Sequence, residues 1–146
     1  MDPLTATLTF VGLSASLVTL LAAVGDASKT LFELQRKIKN APRSAERLQQ
    51  DLRTIQVLLD VIKDQSLKYE GLDVPQPLQH LWSSFVLQLE SDVRDFKAQI
   101  STFKLSRQGL KARIGHVFSE GIVNEFQNRY MAHIQTLIMV QNIVDG

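Results

Sequence analysis

Apolar residues recur every three to four positions along most of this chain, a spacing that predicts helices packed on helices rather than strands. The first such stretch runs from about Leu4 to Val24. No charged residue falls between Pro3 and Gly25, so this segment is long enough to cross a bilayer if wholly helical. Thr5, Thr7, Thr9, Ser14, Ser16 and Thr19 dilute its apolar content, and a central helix buried in a soluble bundle accounts for the same pattern. Asp2 sits where a secretory signal would carry a basic residue, and no basic residue precedes Lys29, so the signal-peptide pattern is not met.

Gly25 reads either as a helix end, with Asp26 capping a second helix through Leu31, Leu34 and Ile38, or as a glycine absorbed as a kink in one longer helix. A third helix starts near Pro42, where proline is tolerated in a first turn. It places Ala45, Leu48, Leu52, Ile55, Leu59 and Ile62 on one seam. Residues 65–77, with Gly71, Asp73, Pro75 and Pro77, predict a loop. A fourth helix carries Leu78, Trp82, Phe85, Leu89, Val93, Phe96, Ile100 and Phe103. Leu110, Ile114 and Val117 suggest a short helix, and Ser119 caps a last one through Ile122, Phe126, Tyr130, Ile134, Leu137, Val140 and Val144. The expected fold is therefore all-α: one domain over residues 1–146, an up-and-down bundle of four to five long helices plus a short one.

Length and composition fit that reading. The 146 residues suffice for one core, and seven glycines with four prolines leave room for long helices. A net charge of +1 argues against nucleic-acid binding driven by bulk charge. The absence of cysteine removes disulfides, zinc–thiolate sites and thiol nucleophiles. His80, His116 and His133 share no ligand spacing and are expected at the surface or its boundary. Glu90, Asp92 and Asp95, like Asp60 and Asp64, are expected on solvated faces. Ser14 and Ser16 have no neighbouring base, and no glycine-rich phosphate loop is present. No catalytic, cofactor-binding or metal-binding residue is therefore assigned, and an enzyme is not expected.

Two features stand out. Lys97, Lys104, Arg107, Lys111 and Arg113 lie in a stretch with no acid, and Arg36, Lys37, Lys39, Arg43 and Arg47 bracket the turn before the third helix. Such clusters attract anionic lipid head groups, although a solvated face is the plainer account. In the first helix, Gly12 and Ser16, and Ala15, Thr19 and Ala23, repeat small residues at a spacing that permits close helix approach.

Met1-Asp2-Pro3-Leu4, the uncharged helix through Leu20-Leu21, Ser28-Lys29-Thr30-Leu31, and the Lys39-Asn40-Ala41-Pro42 turn leading into Leu48, Leu52, Ile55 and Leu59 together resemble a known family. They look like the HeLo-like N-terminal domain of fungal NOD-like receptors and related signal-transducing NTPases. Phe118-Ser119-Glu120 through Arg129-Tyr130 is similar to that domain's last helix. The resemblance implies a helical bundle that executes or regulates programmed cell death, including heterokaryon incompatibility. It implies self-association driven by a NACHT-type or amyloid-motif module in cis or trans, with no nucleic acid involved. It further implies a cytoplasmic resting state and movement to anionic lipids of the plasma membrane. Carried onto this chain, the inserting helix spans residues 1–24 with Leu4, Phe10, Gly12, Leu13, Leu17, Leu20 and Leu21. The lipid-contacting basic residues are Lys37, Lys39, Lys104, Arg107, Lys111 and Arg113. The first helix departs from toxic members in holding only Gly12 and the terminal Gly25. The alternative is a soluble interaction or autoinhibitory module with no membrane step.

Overall fold

A computed structural model describes residues 9–37, 43–69, 71–101 and 120–145. These residues are helical apart from one turn and the extended entry to the first helix. The helices are α1 (Phe10–Lys37), α2 (Arg43–Leu67), α3 (Gln76–Ser101) and α4 (Glu120–Asp145). The short helix expected around Leu110 to Val117 lies outside the described residues, as do Leu4, Pro42, Phe103 and Ser119.

The first helix differs from expectation at its start and settles the choice at Gly25. It does not begin at Leu4: Thr9 is extended, forms an isolated antiparallel bridge with Asp73, and caps α1 by accepting a bond from the Gly12 N–H at 3.2 Å. The Phe10 N–H donates to the Leu72 carbonyl at 3.1 Å, so the α2–α3 turn pins the start of α1. Nor does α1 end at Gly25. The helix runs on for 28 residues, merging the two helices that a break at that glycine would separate. The reason is packing: a continuous helix buries Leu17, Leu20, Val24, Ala27 and Leu31 on one face.

The seam of α2 faces inward as its spacing demands, with Ala45, Leu48, Leu52, Ile55, Leu59 and Ile62 all buried. Ser66 joins them by donating to the Ile62 carbonyl at 2.7 Å. The turn after α2 uses Gly71 at φ 87°, the left-handed region that a side chain would strain. Val74 then plugs the core, and Gln79 donates back to the Val74 carbonyl at 2.7 Å, closing the entry to α3. The α3 stripe from Leu78 to Ile100 is buried, and Phe96 meets Phe126 of α4 edge-on at 5.1 Å.

Contacts at the helix ends set the directions. Phe10 stacks near Tyr69 and Ser28 meets Gln49, so α1 and α2 are antiparallel. Phe96–Phe126 and Phe85–His133 make α3 and α4 antiparallel. Gln65 donates to Asp145 at 3.3 Å and Lys97 pairs with Asp26, which sets α2 beside a parallel α4 and α1 beside a parallel α3. Each helix thus opposes the one before it, yet α2 and α3, consecutive in sequence, lie across the bundle's diagonal. The turn between them crosses one pole of the molecule.

Candidate functional site: the first helix and the polar seam beside it

Of the residues assigned to the inserting helix, Leu13, Leu17 and Leu20 are fully buried and Phe10 nearly so. Gly12 and Leu21 are partly buried, and Leu4 lies outside the described residues. In the bundle their apolar face is sealed against α2 and α3. The stretch Gly12–Arg36 is long and apolar enough to cross a membrane, with mean hydropathy 1.3, a test that a buried core helix passes equally. Three of its hydroxyls bond the helix's own backbone. Ser16 donates to the Gly12 carbonyl and Thr19 to that of Ala15, both at 3.2 Å, and Thr30 donates to Asp26 at 2.8 Å.

Of the assigned basic residues, only Lys37 falls among the described residues. Lys37 is the last residue of α1, and Lys39, Lys104, Arg107, Lys111 and Arg113 lie outside the described residues. Arg36 and the exposed Arg43 and Arg47 cluster where α1 ends and α2 begins. At 1.5 Å per residue, that pole lies roughly 42 Å from Phe10. The ends of α3 and the start of α4 share the basic pole, because α3 runs parallel to α1.

The structure also assembles a polar seam that sequence reasoning missed. Asp92 of α3 and His133 of α4, both expected at the surface, are buried and joined through Oδ2 and Nε2 at 2.6 Å. Arg129 donates to Asp92 at 3.3 Å, approaches Asp95 at 3.5 Å, and pairs with Glu125 one turn earlier. A carboxylate sits in the core because two donors from α4 satisfy it. Spacing carried a faint signal: Asp92 precedes Val93 and His133 precedes Ile134, so each occupies the second inward position of its turn. A small cleft of about 170 Å³, lined by Ser84, Gln88, His133 and Thr136, opens beside the pair.

No family model matches this chain, and no curated protein or solved structure does either. The chemistry must therefore be read from the residues alone. Among the described residues no group of three or more histidines and carboxylates could hold a metal ion. Tyr130 is fully buried, its hydroxyl has no hydrogen-bond partner, and burial with help from Asp92 pushes its phenol far above the ordinary range. Such a phenol stays neutral and offers no base. The Asp92–His133–Arg129 seam ties α3 to α4, and His133 shares the wall of the small cleft with Ser84 and Thr136.

Proposed function

We propose that this chain is a cell-death signalling domain of the HeLo-like kind that acts by contact. Self-association of an attached or partnering NACHT-type or amyloid-forming module assembles it. The N-terminal part of α1 then leaves the bundle and enters the plasma membrane, and the protein is cytoplasmic at rest. The observation that supports this reading is the double character of α1: a Leu13, Leu17 and Leu20 face sealed in the core, on a helix long and apolar enough to span a bilayer. The backbone-bonded hydroxyls of Ser16 and Thr19 lower the penalty of lipid exposure at those two positions.

Energetics sets the demand on assembly. Leu13, Leu17, Leu20, Val24 and Leu31 are all fully buried, and at about 1.5–3 kcal/mol each their exposure to water costs on the order of 10 kcal/mol. Lipid returns much of that sum, because these side chains exchange one apolar surrounding for another. Insertion would begin at the Phe10 pole. Lys37 and the Arg36, Arg43 and Arg47 cluster, at the other end, would meet head groups only once α1 is freed.

Dye release from anionic liposomes tests the proposal. The intact chain and one lacking residues 1–24 are each measured alone and fused to a forced-oligomerising tag, with circular dichroism to confirm folding. Release that needs both assembly and the N-terminal segment is expected. A second reading, a soluble interaction module, is favoured by the exposure of Met131, Ile138, Met139 and Ile143 on α4. It takes over if folded, oligomerised protein leaves the liposomes intact.

A further inference from the structure

Where the C-terminal part of α1 runs beside the N-terminal part of α2, the surface dips into a groove of about 450 Å³. Phe32, Gln35 and Arg36 form one wall, and Glu46, Gln49, Gln50 and Arg53 form the other. Three observations converge there. The Phe32 ring is 46% exposed, and the Arg36 guanidinium lies 6.0 Å from its centre. Arg36 and Arg53 both line the groove, and among the described residues Glu46 forms an ion pair with neither. The third is Gln49, which is only 7% exposed. Its Nε2 donates to the Ser28 carbonyl and hydroxyl on α1, but its Oε1 is buried and has no hydrogen-bond partner. Buried amide oxygens without a donor are uncommon, and this one belongs to a side chain that lines the groove, where a small turn of the amide brings it to a donor seated there.

We propose that this groove docks a short acidic peptide segment of a partner protein. A carboxylate of the segment bridges the Arg36 and Arg53 guanidinium groups, which suit planar, two-pronged recognition. An apolar or aromatic side chain covers Phe32, and a backbone N–H donates to Gln49 Oε1. The last contact favours a peptide, which offers an N–H at every residue, over a lipid phosphodiester, which is fully ionised at neutral pH and has no proton to donate. Because both walls are needed, the segment binds only while α1 and α2 are packed together. Occupancy therefore stabilises the resting bundle, whether or not α1 acts at a membrane.

The test uses the full chain and two labelled nine-residue peptides, one alternating glutamate with leucine and phenylalanine, the other carrying lysine in place of glutamate. Fluorescence polarisation gives affinity, and amide chemical shifts locate the site. The acidic peptide is expected to bind, to shift resonances of residues 32–36 and 46–53, and to raise the melting temperature. Arg36→Glu with Arg53→Glu changes only exposed side chains, so the fold survives, and it should weaken binding by about tenfold or more. Phe32→Ala should weaken it as well. The proposal is overturned if no peptide shifts these resonances, if the lysine peptide binds as well, or if the double variant binds within about twofold of the parent. It also falls if phosphatidylserine vesicles, and not the acidic peptide, are what the double variant loses.

Discussion

Asp92, His133 and Arg129 behave as one unit, because each leaves a buried or half-buried polar group behind when another is removed. Asp92→Ala strips His133 and Arg129 of their shared acceptor and should cost about 3 kcal/mol in urea unfolding. Asp92→Asn, which keeps an acceptor for Arg129, should cost clearly less; equal losses would mean that the seam's charge contributes nothing. Asp51 is a different case. Burial raises its carboxyl above the ordinary value of 3.8, so the ionised form is disfavoured in the folded state. The stability lost to that ionisation is present at neutral pH and is regained as pH falls through the raised folded value. Asp51→Asn should therefore be more stable than the parent at pH 7, with the difference vanishing below about pH 3.8. A variant less stable at pH 7 would contradict the sign. At this scale the apolar positions were legible, since Leu48, Leu52, Trp82 and Leu89 face inward as their spacing demands. The buried acid and histidine were not, because a charged residue reads as solvated until the partner that satisfies it, some forty positions away, is known.

The element most altered by the tertiary structure is α1. Gly25 carries a helix-ending signal, and in an isolated peptide it would favour a break. Core packing overrides that preference, because continuous helix lets Leu17 through Leu31 bury on one face. Gly25→Ala then sets two effects against each other. Alanine gains roughly 0.5–1 kcal/mol of helix stability over glycine. Its Cβ would sit 3.3 Å from the flexible end of Gln56, which can move aside by a few tenths of an ångström. A modest rise in melting temperature is expected, and a fall would show that Gln56 is held in place. At the start of the helix, Thr9→Ala removes the oxygen that accepts from Gly12 and should cost about 1 kcal/mol in thermal or urea unfolding. An unchanged midpoint would mean that the bridge to Asp73 alone holds the entry.

At the scale of the whole molecule, the pairing pattern sets which contacts α1 would break under the proposed mechanism. That helix packs mainly on α2 and α3, so in that mechanism its release would leave the α2–α4 and α3–α4 contacts to hold the remainder. A change on the face α1 leaves behind should therefore tune release without touching the sequence of α1. Leu52→Ala, at a fully buried position of α2, should lower stability by about 2–5 kcal/mol. If α1 is bistable, the oligomerised variant should release liposome dye at lower protein concentration than the parent. Destabilisation with no change in release would separate folding from membrane action and count against the proposed mechanism.

The periodicity of apolar residues, read alone, determined that this protein is all-helical and which positions of α2, α3 and α4 form its core. That information is local: a helix needs only its own 3.6-residue repeat to declare which face turns inward. Tertiary structure alone decided that α1 continues through Gly25, that α2 and α3 lie diagonally, and that Asp92 meets His133. It also set the basic pole far from the start of α1 and left Gln49 Oε1 without a partner in the wall of a groove. Each of these depends on which helix faces which, and the repeat within a single helix carries no record of its neighbours.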